Sequence, residues 1–303
     1  MAVITADGLS KAFGSRLAVE GLRFEVGKGE VFGFLGPNGA GKSTTIRLLM
    51  GLYHPTAGRA TVLGLDPVSD AAAVHRRTGY LPGELALHPR LTGAQLVNYA
   101  ARARGLTDRS FAGELAERFE VTLDRPVRTL SKGNRQKIGI MLAVMHQPEM
   151  LILDEPTSGL DPLMQDEFER LVREFAAGGG TVFLSSHELD QVQRVADRVA
   201  IIRDGRLAVT DTVDGLRASA PRTIEFRFAG PADPAWFSAL PGVRVRGTGP
   251  RQVTLAVRGP VAPVLRVAAA HDVADLTARP ADLDELFLAY YRRDAAKEPA
   301  DAR

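Results

Sequence analysis

The chain has 303 residues, 45% of them hydrophobic, enough to bury a full core, and its length suggests a main domain of about 200 residues with a smaller companion. It contains no cysteine, which excludes a disulfide framework and a thiolate metal site and fits a reducing cytoplasmic setting. Lysine and arginine number 38 against 36 acids, a net charge of +2 with the signs interleaved, so no electrostatic footprint for nucleic acid is expected.

In chain order, Met1 to Asp7 lack a basic leader and a long apolar stretch, so a secretory signal is not expected. Glu30-Val31-Phe32-Gly33-Phe34-Leu35 predicts a buried strand, and Thr44 to Met50 open a helical pattern. Between them stands Gly36-Pro37-Asn38-Gly39-Ala40-Gly41-Lys42-Ser43-Thr44, the pattern of a phosphate-cradling loop between strand and helix. Composition would generate it by chance in about one such sequence in 200, so it predicts a nucleoside triphosphate site. Backbone N–H groups of Gly39 to Ser43 are expected to face the phosphates, helped by the positive end of the helix. Lys42 would reach the β- and γ-phosphates as a compact charge, and the Ser43 hydroxyl would sit on Mg²⁺.

Residues 85–148 read as helical, with Leu96, Val97 and Ala100, then Phe111, Leu115 and Phe119, at amphipathic spacing. The longest apolar run, Ile138 to Met145, is far short of the roughly 20 residues a membrane helix needs. Within this region Ser131, in Leu130-Ser131-Lys132-Gly133-Asn134, is placed as N-cap of a helix. Met150-Leu151-Ile152-Leu153 then predicts a strand ending in Asp154 and Glu155. Ligands of parallel sheets bind at the carboxyl ends of strands, so this strand delivers both acids beside the phosphate loop. Asp154 is expected to help hold Mg²⁺, and Glu155 to polarise the attacking water as general base. Asp161 followed by Pro162 predicts a capped helix start. Thr181 to Ser186 form a β-rich segment ending at His187, and Asp204-Gly205 marks a hairpin turn between Ala200–Arg203 and Arg206–Val209.

A different unit follows. Ile224, Phe226 and Phe228 alternate on one face, and Val243 to Arg246 and Val253 to Val257 alternate as well. Helical patterns fall at Pro234–Leu240, Val261–Ala270 and Asp282–Arg293. The order β-α-β-β-α-β suggests a small α+β, ferredoxin-like domain. Asp294 to Arg303 are charged and rich in Ala and Pro, the composition of a disordered tail.

Taken together, Leu130-Ser131-Lys132-Gly133-Asn134, Asp154-Glu155-Pro156-Thr157-Ser158-Gly159-Leu160-Asp161-Pro162 and Ser185-Ser186-His187, downstream of the phosphate loop, resemble the ATP-binding cassette (ABC) family over residues 3 to about 215. The resemblance implies an α/β P-loop NTPase core with a helical subdomain at about 85–148, spanning 1–215, before an accessory domain at 220–293 and a tail at 294–303. It makes Phe13, in Lys11-Ala12-Phe13-Gly14, similar to the family's adenine-stacking aromatic; a core position is the other reading. It gives Gly36, Asn38, Gly39, Ala40, Gly41, Lys42, Ser43 and Thr44 to the phosphates, and Ser131, Gly133 and Asn134 to nucleotide bound by the partner of a homodimer that sandwiches ATP. His187 becomes the switch histidine on the γ-phosphate, and Asp161 part of the loop linking the two sites.

Two departures stand out. Lys132 and Asn134 replace the commoner Gly and Gln of the signature loop, and Gly83, in Gly79-Tyr80-Leu81-Pro82-Gly83-Glu84, stands where the family usually has a Gln that meets the metal and the water. Glu84 substituting through a water is one hypothesis for the second. Leu283-Asp284-Glu285-Leu286-Phe287 is similar to a stretch found after the cassette in bacterial drug- and polymer-exporting systems. The resemblance implies an ATPase with Mg²⁺ at the cytoplasmic face of the cell membrane, driving export through separate integral-membrane permease subunits on which the helical subdomain docks. The competing expectation is a soluble ABC ATPase that remodels a ribosome, nucleic acid or protein complex. That class usually shows two cassettes, a coiled-coil insertion or a basic arm, and none of these is visible.

Overall fold

The structure, a computed structural model, describes residues 1–219 and 221–279. The chain divides into two compact units, Met1–Thr210 and Asp211–Arg303. The first opens with long strands β1 (Ala2–Phe13) and β2 (Arg16–Gly27), followed by β3 (Val31–Leu35), α1 (Lys42–Leu49), β4 (Ala57–Val62), α2 (Ala71–Arg77) and β5 (Thr78–Leu81). Helices α3 (Gly93–Ala103), α4 (Ser110–Arg118) and α5 (Lys132–Val144) come next. The unit continues with β6 (Met150–Asp154), α6 (Pro162–Ala177), β7 (Thr181–Ser186), α7 (Leu189–Val192), β8 (Arg198–Arg203) and β9 (Arg206–Thr212).

Two sheets result. One is antiparallel in the order β2-β1-β4, and the other runs β5-β6-β7-β3-β8-β9. The pairs β5–β6, β6–β7, β7–β3 and β3–β8 are parallel. Every residue of β3, β6 and β7 is buried, as strands covered on both faces require. Between the sheets, Ile4, Leu22, Val62 and Ile46 of α1 pack against a cluster of Phe24, Phe32, Phe34 and Phe183, whose ring centroids lie 5.3 to 6.0 Å apart. Asp204 and Gly205 turn the β8–β9 hairpin with φ of 47° and 78°, the pair of positive values that a type I′ turn needs.

The helical layer has its own core of Leu96, Val127, Leu130 and Ile138. There α3 begins at a capping box, in which the Thr92 hydroxyl accepts from the Gln95 N–H and the Gln95 side chain accepts from the Thr92 N–H. The region 85–148 is thus three α-helices with connecting loops, of which α3 and α5 begin at side-chain caps and α4 does not.

The second unit contains α8 (Val213–Ser219), β10 (Arg222–Phe228), β11 (Val243–Gly249), β12 (Gln252–Val257), α9 (Ala262–Ala269) and β13 (Val273–Arg279). Its antiparallel sheet runs β11-β12-β10-β13, with a core of Ile224, Phe226, Phe228, Phe237, Leu255 and Val264. The helix expected over Pro234–Leu240 is instead one 3₁₀ turn, Pro234–Phe237, which the Asp233 carboxylate caps through the Ala235 N–H. Four residues serve there to deliver Phe237 to the core, where it stacks on Phe226 at 5.7 Å. The helix at Asp282–Arg293, the stretch Leu283–Phe287 and the tail 294–303 lie outside the described residues.

Candidate active site

The phosphate loop connects β3 to α1 at the carboxyl end of the parallel strands. Its glycines are required by geometry: Gly41 sits at φ 110°, and a Cβ at Gly36 would stand 2.4 Å from the Ile202 carbonyl oxygen. The helix starts at Lys42, two residues earlier than the sequence pattern suggests. Lys42 is only 6% exposed, and its ammonium donates to the carbonyls of Gly36 (2.6 Å) and Pro37 (3.2 Å). The chain therefore coils around its own lysine and fixes where that charge points.

Strand β6 ends at Asp154, and the next residue, Glu155, has φ 50°, a left-handed conformation that costs a non-glycine residue about 1–2 kcal/mol. This bend carries Glu155 Oε1 to 3.2 Å from Lys42 Nζ, an ion pair without hydrogen-bond alignment. Its other oxygen, Oε2, accepts from Nδ1 of His187 at 2.8 Å. Sheet order explains the meeting: β7 lies between β6 and β3, so three chain segments end side by side.

Asp154 is 2% exposed, and its Oδ1 accepts from the Ser185 hydroxyl at 2.5 Å. Its Oδ2 faces Gly83, where a Cβ would come within 2.9 Å of it. Only a residue without a side chain leaves that carboxylate its position. Glu84, in contrast, is exposed.

A cavity of about 410 Å³ is lined by Phe13, Arg16, Ala18, Pro37, Asn38, Gly39, Gly41, Lys42, Ser43, Thr44 and Glu155. Phe13 is 44% exposed and packs edge-on against Tyr53 at 5.3 Å, with Lys11 Nζ 5.2 Å from its ring centroid, so one face is free to stack. Gly36 and Ala40 support the loop from behind, and Ala40 is buried. A larger cavity of about 760 Å³ lies by the amino ends of β6 and β7, among Phe111, Phe175, Arg77 and Arg118, away from these groups.

Ser131, Gly133, Asn134 and Asp161 do not line the 410 Å³ cavity. Ser131 caps α5 by accepting from the Asn134 N–H at 3.2 Å, and Asp161 caps α6 by accepting from the Met164 N–H at 3.1 Å. The start of α5 lies on the turn after Glu155: Lys132 Nζ donates to the Ser158 hydroxyl at 2.8 Å, and a Cβ on Gly133 would be 2.7 Å from the Gly159 oxygen. The Asn134 side-chain oxygen accepts from the Thr122 N–H at 3.3 Å. Deeper in the same helix, Gln136, which no motif singles out, donates to the Pro156 carbonyl at 2.8 Å. Ser185, also without an assigned role, is a fully buried hydroxyl on β7, and a buried hydroxyl needs partners.

Comparison with known proteins fits this geometry. The model of the family described as ABC transporter matches residues 19–158. The chain is 40% identical over 220 residues, 71% of its length and 70% of the relative's, to the daunorubicin resistance ATP-binding protein DrrA3 of Streptomyces coeruleorubidus. It is 34% identical over 230 residues, 75% of each chain, to the bacitracin transport ATP-binding protein BcrA of Bacillus licheniformis. Among solved structures, an ATP-binding subunit of an ABC transporter aligns with TM-score 0.67 and 31% identity over 71% of this chain and 92% of that one. A dimeric ATP-binding cassette bound to ADP and phosphate shares the fold, with TM-score 0.64 and 21% identity over 69% and 98%. No helix among the described residues is long and apolar enough to cross a membrane.

Proposed function

The chain belongs to the ABC transporter family and is an ATP-binding, ATP-hydrolysing cassette, and from that premise we propose that it powers export of a drug- or antibiotic-like molecule through separate integral-membrane permease subunits. The observation that carries the ATPase half is the convergence of three chain segments: Lys42 and Glu155 line one cavity and pair with each other, and His187 bonds the far oxygen of Glu155. The export half rests on the relatives, named for daunorubicin resistance and bacitracin transport.

In this reading, ATP lies with its base against Phe13 and its phosphates over the N–H groups of Gly39, Ala40, Gly41, Lys42 and Ser43, with Gly36, Asn38 and Thr44 shaping the loop. Lys42 moves its charge from Glu155 to the β- and γ-phosphates. That frees Glu155 to take the proton of the attacking water while His187 donates to the γ-phosphate oxygen. The donor set suits Mg²⁺: a hydroxyl at Ser43 and a carboxylate oxygen at Asp154, with no group of three or more His, Cys, Asp or Glu able to hold a metal ion by itself among the described residues. That ion takes one or two carboxylates and completes its shell with phosphates and water. When bound, such an ion would supply positive charge that offsets the charge of the phosphates.

One chain carries one phosphate loop and one signature segment, so a head-to-tail homodimer would complete two sites, with Ser131, Gly133 and Asn134 of one subunit over the nucleotide of the other and Asp161 beside it. ATP would close the pair and hydrolysis would open it, a motion that an attached permease converts to alternating access at the cytoplasmic face of the membrane. We place the cassette at about residues 1–215, with the helical subdomain at 85–148 as its permease-facing part and 220–293 as an accessory domain. Affinity purification from detergent-solubilised native membranes tests the export half: a polytopic membrane protein at near-equimolar amount is expected, and ribosomes or a soluble complex without one would overturn it.

A further inference from the structure

We propose that Ser185 is a positioning residue of the ATPase site, one hydroxyl that sets both the metal-holding carboxylate of Asp154 and the backbone of Glu155. The inference rests on the ATPase reading above. Its ground is geometric. Ser185 is fully buried on β7, and the parallel register pairs its Cα with Asp154 on one side and Phe34 on the other. A hydroxyl in that setting is destabilising unless satisfied, so its partners are not incidental.

The hydroxyl has one proton and two lone pairs, and the neighbouring atoms decide their use. The proton goes to Asp154 Oδ1 at 2.5 Å, and a lone pair receives the Glu155 N–H at 3.2 Å. The Ser185 carbonyl accepts the same N–H at 3.2 Å, so the left-handed residue is held by two acceptors of one neighbour. The consequence is a division of labour within Asp154: Oδ1 is bound to Ser185, which turns Oδ2 toward Gly83. At Glu155, the same hydroxyl opposes relaxation of a strained φ that aims the carboxylate at Lys42 and His187. Gly83 lacks the side chain that would otherwise confine Asp154 from the loop side, so the strand side carries the restraint.

Outer partners of metal ligands change metal affinity or activity by about 10- to 100-fold when removed. Ser185→Ala is therefore expected to lower kcat by about 10- to 100-fold and to raise the Mg²⁺ concentration for half-maximal turnover several-fold, with KM for ATP changed less than about threefold. A second readout is independent of turnover: Mn²⁺ titrated into protein with ATP on ice, followed by electron paramagnetic resonance, should bind about tenfold more weakly in the variant. Ser185→Cys, slightly larger and with only a weak donor, leaves no cavity and is expected to fold while repeating the metal defect; Ser185→Thr, which keeps the hydroxyl, should recover most of it. Variants matching the parent in kcat, Mg²⁺ requirement and Mn²⁺ affinity, or losing only thermal stability, would overturn the proposal. A parent protein that does not hydrolyse ATP would instead overturn the ATPase reading.

Discussion

Nδ1 of His187 lies 2.8 Å from Oε2 of Glu155, so the histidine after β7 and the acid after β6 share a hydrogen bond across adjacent parallel strands. The bond orients the carboxylate from one side while Lys42 holds it from the other. His187→Ala is expected to lower ATP turnover by about 10²- to 10³-fold, as loss of one transition-state donor does, with ATP binding changed little. Steady-state turnover together with a fluorescent-nucleotide binding curve reads both quantities.

Lys42 is enclosed by its own loop, with donors fixed on Gly36 and Pro37. Removing a charged donor of this kind costs about 1.5–3 kcal/mol, so Lys42→Ala should weaken ATP binding by on the order of 10- to 150-fold. Lys42→Arg should not restore it, because a planar fork does not fit a site built for a compact ammonium. Isothermal titration with ATP distinguishes the two substitutions from the parent.

Gly83 presents the reverse case, a position where the more usual family residue is expected to harm. Any side chain would begin 2.9 Å from Asp154 Oδ2, so Gly83→Gln or Gly83→Ala must displace that carboxylate or the loop. Both should reduce turnover and raise the Mg²⁺ requirement. Glu84→Ala, at an exposed position, should leave turnover within about twofold. Turnover measured across a Mg²⁺ series checks all three.

His146 is buried enough that its imidazole pKa is pushed down to about 4, by loss of hydration and by the nearby Arg104. The unfolded imidazole titrates near 6.5, so between 6.5 and 4 the unfolded state binds the extra proton and the native state does not. Stability is therefore fully present above pH 6.5 and falls as the pH drops toward 4. Because the ring is only partly buried, the loss should total about 1–2 kcal/mol. Thermal melts of the parent and His146→Leu should diverge over that window and run parallel outside it.

Much of this architecture was readable in the sequence because it is local. Gly36 to Thr44 carry their chemistry in nine consecutive residues, Asp204-Gly205 fixes its hairpin through two backbone conformations, and Ile224, Phe226 and Phe228 declare a buried face by alternation. The contact of Glu155 with His187 spans 32 positions and exists because β7 lies beside β6, an order that no short pattern encodes. The structural meaning of Gly83 depends on its closeness to Asp154, across a loop that sequence spacing does not place. Pro234 to Leu240 read as a helix from apolar spacing, but the segment needs only one turn to bring Phe237 inward.

We propose that Glu155 acts as the base in a site that closes between two subunits. ATP turnover of Glu155→Gln, measured alongside the mass of the protein in ATP and Mg²⁺, tests it most directly. Loss of at least about 10²-fold in turnover is expected, with ATP still bound and the mass doubled. Turnover equal to the parent's, in a protein that remains a monomer with ATP, would contradict it.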